Sequence, residues 1–251
     1  MKVRVRLFHQ LLMNNTFMCS INHEKKAIFI NIPKTARSYI SSTLCKYYGF
    51  TQYLHPCEDH ELKYGKRSKM DVACLFFNKI DGIYKYYKNS KSLNKLMNMD
   101  EEKWNTYLKF CFVRNPYDRI VSGFFYIQQL KPPSFLKDYE KTFIPFNEYI
   151  KNPEKNNYVA NHIYIPQTFH IVDENNNIAM DFIGKYENLE NDFIEILKKL
   201  NFEIIHTPKI VNKSNHTDYL NYIKDKETID IIDSFYEKDF ELLNYEKITI
   251  N

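Results

Sequence analysis

Residues 27–44 read AIFINIPKTARSYISSTL, and the rest of the chain is best understood from them. The opening run, Ala27-Ile28-Phe29-Ile30, is continuously apolar and closes on Asn31-Ile32. A short β-branched run followed by a breaker reads as a buried strand. Pro33 ends it, because proline has no N–H to give a sheet ladder. From about Arg37 the spacing turns helical, with Ile40, Thr43 and Leu44 at i, i+3 and i+4. Strand, tight basic turn and helix together make an anion site. The first N–H groups of a helix lack intrahelical partners, and its macrodipole favours negative charge there. Lys34 adds a mobile point charge, and Thr35 and Ser38 add hydroxyl donors. An ordinary βα turn with incidental polar residues is the alternative.

A second unit, residues 107–129, reads YLKFCFVRNPYDRIVSGFFYIQQ. Residues 110–113 form another apolar strand pattern. Asn115 followed by Pro116 is a helix start, a capping residue before proline at the first helical position. Tyr117, Ile120, Val121, Phe124 and Phe125 then make a core-facing stripe, with Asp118, Arg119 and Ser122 off it. Arg114 is thereby expected at the carboxyl end of a strand, the edge where open α/β sheets bind ligands. The alternative is an Arg capping its own sheet edge and a Ser facing solvent.

Elsewhere the pattern is looser. Residues 1–26 are left as a lead-in of no assigned structure, 72–77 as strand or short buried helix, and 92–99 as helix. Residues 131–157 carry four prolines and read as a long loop or lid. A strand is expected near 180–186, an amphipathic helix from Leu189 to Leu200, and one closing helix from Ile229 to Phe240. Strands alternating with helices argue for an α/β fold with a mainly parallel sheet.

The 251 residues suffice for one large domain, with 51–106 and 131–165 as variable inserts. A net charge of +4 suits an anionic ligand but falls short of a nucleic-acid footprint. Five scattered cysteines argue against a disulfide framework, and the Cys57/His60 pair has no second pair to complete a zinc site. No stretch reaches the roughly 20 apolar residues of a membrane span.

The two units together, IPKTA and FVRNPYDRIVS, resemble the 5′-phosphosulfate loop and the 3′-phosphate motif of sulfotransferases, in the form of the carbohydrate-type (Golgi and bacterial) group. NHIYIPQ, FIGKYENLENDF, NKSNHTDY and FYEKDFELLNY agree with it. The resemblance implies a P-loop-like α/β sulfotransferase fold with a central, mainly parallel sheet flanked by helices. It implies 3′-phosphoadenosine 5′-phosphosulfate as donor, 3′,5′-adenosine bisphosphate as product, and a glycan or glycolipid hydroxyl as acceptor. By position, Lys34 matches the lysine that contacts the bridging oxygen. Thr35 and Ser38 match the 5′-phosphate contacts, within a loop that Ala36, Arg37 and Tyr39 complete. Arg114 and Ser122 match the 3′-phosphate pair. Tyr186 is either the tyrosine near adenine or a buried structural ring. Lys213 and Ser214 are expected to close over the nucleotide, and His162 to lie near donor or acceptor. No metal is demanded, since the donor presents one phosphate and one sulfate and GxxxxGK[ST] is absent.

The acceptor hydroxyl needs a base, and His55 is the first candidate by its distance from Lys34, with His60, Glu58 and Asp59 competing. Where the family loop usually has Gly, this chain has Arg37. A positive φ there would cost Arg about 1 kcal/mol. A catalytically silent nucleotide- or glycan-binding module, with Arg37 as its lesion, is therefore the second hypothesis. A cytoplasmic, bacterial-like protein is expected, or a Golgi-lumen one if the sequence is a truncated piece.

Overall fold

The computed structural model describes residues 18–54, 101–129, 145–151, 166–173, 175–207 and 218–249. Five strands, β1 (Met18–Asn22), β2 (Ala27–Ile30), β3 (Thr51–Leu54), β4 (Leu108–Val113) and β5 (Phe182–Lys185), form one sheet in the order β3-β1-β2-β4-β5. β2, β4 and β5 are parallel neighbours, while β1 runs antiparallel to both β2 and β3. The mainly parallel α/β sheet expected from the sequence is present, as a parallel core with a hairpin at one side.

The apolar run of β2 is buried on both faces because its period of two splits it between two layers. Ala27 and Phe29 pack with Ile40 and Leu44 of α1 (Arg37–Tyr47) and with Phe193 and Ile196 of α5 (Leu189–Lys199). Ile28 and Ile30 face Val113, Ile171, Trp104 of α2 (Glu101–Thr106) and Leu243 of α7 (Glu237–Leu243). A third cluster joins α3 (Pro116–Gln129), α4 (Phe146–Lys151), α6 (Lys226–Phe235) and α7 through Tyr117, Phe124, Tyr149, Ile232 and Phe240.

Four expectations need correcting. The lead-in contributes β1, a central strand. Its alternate residues are polar yet buried, and each finds a partner: Ser20 Oγ lies 2.7 Å from Ser41 Oγ, and Asn22 Nδ2 donates to the Tyr48 carbonyl at 2.8 Å. The proline-rich segment contains α4, where Phe146, Tyr149 and Ile150 are buried at i, i+3 and i+4. The closing helix is two helices, α6 and α7, with buried Tyr236 at the break and no Gly or Pro to announce it. Arg119 and Ser122, off the apolar stripe of α3, are nonetheless buried, at 0% and 2% exposure. No helix among the described residues is long and apolar enough to cross a membrane.

Candidate functional site

The site lies at the carboxyl ends of β2, β4 and β5, along one edge of the parallel core. After β2 the chain turns through Asn31–Ala36, and the turn holds two non-glycine residues in the left-handed region: Lys34 at φ 68° and Ala36 at φ 61°. Each costs about 1 kcal/mol or more, a strain that the surrounding contacts must hold. Thr35 is fully buried, and its hydroxyl closes the turn by donating to the Ile32 carbonyl at 3.0 Å. Arg37 then opens α1 without a positive φ, so the backbone strain expected at Arg37 falls instead on its neighbours. No side chain caps α1 and no acid stands in its first turn, where Ser38 is exposed and Tyr39 half-buried. That end can receive an anion.

Arg114 follows β4. Its Nε donates to Asp118 Oδ2 at 2.7 Å, and its Nη1 donates to the backbone carbonyl of Lys34 at 3.3 Å. Its guanidinium carbon lies 4.1 Å from the ring centre of Tyr186, which begins the turn after β5. Tyr186 thus underlies the arginine, and the end of each parallel strand contributes one member of the group. Asn115 caps α3 as its type suggests, its side chain accepting from the Tyr117 N–H at 3.0 Å.

The helix α3 runs along the loop with one side turned to it. Asp118, Ser122 and Tyr126 are spaced by four, so they share a face. Asp118 holds Arg114, and the ring of Tyr126 lies 4.1 Å from the Lys34 ammonium. Arg119, fully buried, donates from Nε to the Pro33 carbonyl at 3.0 Å and fixes the start of the turn. Burial and the nearby Arg114, Arg37 and Arg119 push the Lys34 ammonium down from 10.5 to about 8. Burial likewise lowers Arg37, against a favourable influence from Tyr126. Lys34, Arg37 and Arg114, with the buried Arg119 behind the turn, concentrate positive charge at this edge of the sheet.

The structure therefore brings together Lys34, Thr35, Ala36, Arg37, Arg114, Ser122 and Tyr186. His55, His60, Glu58, Asp59, His162, Lys213 and Ser214 lie outside the described residues. Sequence reasoning missed Asp118, Arg119, Tyr126, Gln167 and Asp239. For Asp118 and Tyr126 a signal existed, since positions 118, 122 and 126 repeat at helical spacing behind the arginine. Gln167 and Asp239 meet the site only through tertiary contacts.

The model of the sulfotransferase family matches residues 18–246, which include every strand of the sheet and all the residues that meet at this edge. An uncharacterized protein of Archaeoglobus fulgidus is 35% identical over 95 residues, 38% of this chain and 68% of that protein. No solved structure matches the chain. With a family match over nearly its whole length, and the two motifs meeting at one cationic edge of the sheet, the chain belongs to the sulfotransferase family.

Proposed function

We propose that the protein moves the sulfuryl group of 3′-phosphoadenosine 5′-phosphosulfate to a hydroxyl of a glycan or glycolipid. Family membership brings sulfuryl transfer, and the donor and acceptor are the further step. One observation carries the donor site: Arg114 reaches across to the carbonyl of Lys34, so the two motif loops form a single cationic site, while the acceptor class rests on the family resemblance alone. The donor has two anionic ends, and the site has two cationic ones. Arg114 and Ser122 would take the 3′-phosphate. Lys34, the α1 end, Arg37, Ser38 and Tyr39 would take the phosphosulfate. Arginine suits the terminal phosphate because its fork can meet two oxygens at once.

In the reaction the acceptor oxygen bonds to sulfur as the sulfur–bridging-oxygen bond breaks, in line and largely by positioning and charge stabilisation. Lys34 would meet the charge growing on the bridging oxygen, and its proton is held ready by a depressed pKa. A base takes the acceptor's proton, with His55, the residue after β3, as first candidate and His60 as second. Lys213, Ser214 and His162 keep the roles the family implies. The strain that motivated the silent-module reading lies at Lys34 and Ala36 rather than at Arg37.

Labelled-sulfate transfer from donor to a glycan panel tests the activity. Thermal melts with 3′,5′-adenosine bisphosphate, beside ADP with magnesium, test the donor. Bisphosphate at about a hundred times its dissociation constant should stabilise by about 2.7 kcal/mol. Arg114→Ala should remove about 1.5–3 kcal/mol of that affinity. A shift only with ADP and magnesium would overturn the donor assignment. Intact bisphosphate binding without transfer to any glycan would overturn the acceptor assignment.

A further inference from the structure

We propose that Gln167 is a positioning residue for Arg114, itself held in place by the buried carboxylate of Asp239. This rests on the nucleotide reading of the site. The ladder stops just short of the arginine, with β4 paired to β5 as far as Val113↔Lys185 and to β2 as far as Ile30↔Cys111. Both backbone groups of the next residue are taken by one side chain. The Arg114 N–H donates to Gln167 Oε1 at 2.8 Å, and Gln167 Nε2 donates to the Arg114 carbonyl at 2.8 Å. A single amide thus does for Arg114 what a neighbouring strand does for Val113.

The amide is fixed in turn from α7. Asp239 Oδ2 accepts from the Gln167 N–H at 2.8 Å and from Nε2 at 3.3 Å. Oδ1 accepts from the Thr168 N–H and hydroxyl, both at 2.8 Å. Gln167 and Asp239 are fully buried, so these bonds face no competition from water. The acceptor pair on Asp239 also decides which way the amide points: Nε2 must face the carboxylate and the carbonyl, leaving Oε1 for the N–H. The Arg114 side chain meets Asp118, the Lys34 carbonyl and Tyr186 at once, and it can reach all three only from a backbone held in the right place. A shift of about 1 Å there is enough to misplace a binding group.

The test compares 3′,5′-adenosine bisphosphate with adenosine 5′-phosphate, which lacks the 3′-phosphate, by calorimetry. Gln167→Met keeps the shape and removes the clamp. It is expected to weaken the bisphosphate about tenfold, the scale of one charged hydrogen bond, and the monophosphate less than about twofold. In an Arg114→Ala background the same change should alter bisphosphate binding less than about twofold, because no guanidinium remains to position. If Gln167→Met does not fold, Thr168→Val, which removes one donor to Asp239, should weaken the bisphosphate alone by about two- to threefold. Equal losses for both nucleotides, or an undiminished loss in the Arg114→Ala background, would overturn the inference. Wild type that binds the two nucleotides equally would overturn the nucleotide reading, and the positioning role with it.

Discussion

Lys34 should destabilise the ligand-free protein, and replacing it with methionine should make the fold more stable. Its ammonium is held at about 8, against an ordinary 10.5, by burial first and then by Arg114, Arg37 and Arg119. That depression corresponds to about 3 kcal/mol of disfavoured charge, at about 1.4 kcal/mol per pKa unit. Solvent at the partly exposed ammonium reduces it to about 1–2 kcal/mol. Methionine keeps the stem and the left-handed backbone requirement while removing the charge. The pH dependence fixes the sign. Between pH 8 and 10.5 the unfolded chain holds the Lys34 proton more firmly than the native one, so the Lys34 penalty, and with it the gap between wild type and Lys34→Met, shrinks with pH in that window. Below about pH 8 the penalty is full. Urea denaturation of Lys34→Met should therefore show a gain of about 1–2 kcal/mol at pH 7, shrinking toward zero by about pH 10. The same variant should lose turnover. A less stable variant at pH 7, or a gap that ignores pH, would refute the reasoning.

The same ammonium predicts proton traffic: at pH 8.5, bisphosphate binding should take up a fraction of a proton in wild type and less in Lys34→Met. Calorimetry in two buffers of different ionisation enthalpy reads this directly. Asp118→Asn removes the carboxylate from a largely buried pair with Arg114 and should cost about 2 kcal/mol in urea denaturation. Gly184→Ala would place its Cβ 2.4 Å from the ring of Phe112, which is fully buried. Its expected cost is about 1–3 kcal/mol, seen as a lower melting temperature. Arg37→Gly should weaken bisphosphate binding about two- to fivefold without raising turnover. A gain in turnover would return Arg37 to the status of a lesion.

The units that could be read from sequence were those whose local pattern and tertiary role agree. β2 and residues 110–113 of β4 are apolar without interruption because both faces of the central sheet are covered there. The Asn115-Pro116 start of α3 is stated by local chemistry alone. β1 was hidden because Ser20 and Asn22 are polar at buried positions, and their partners, Ser41 and the Tyr48 carbonyl, lie far along the chain. Arg119 was hidden for the same reason. Its type suggests solvent, but its Nε meets the Pro33 carbonyl and its charge lies near Asp239 and the Tyr236 ring. At the site, Lys34, Arg114 and Ser122 were legible from their motifs. The supports were not, since Gln167 and Asp239 are 72 residues apart and Gln167 meets Arg114 at its backbone, far from it in sequence.

Those supports explain how the chain tolerates a site that is costly when empty. Lys34 and Ala36 are strained in φ, and four cations surround one turn. Part of the charge is answered from outside the turn. Asp118 pairs with Arg114, the Tyr126 and Tyr186 rings offer their faces to Lys34 and Arg114, and Asp239 lies near Arg119 while fixing Gln167. The turn itself contains no acid, so none of this compensation competes for the face an anion would approach. An anion entering that face relieves repulsion already present, and this differential is what a binding site can convert into affinity.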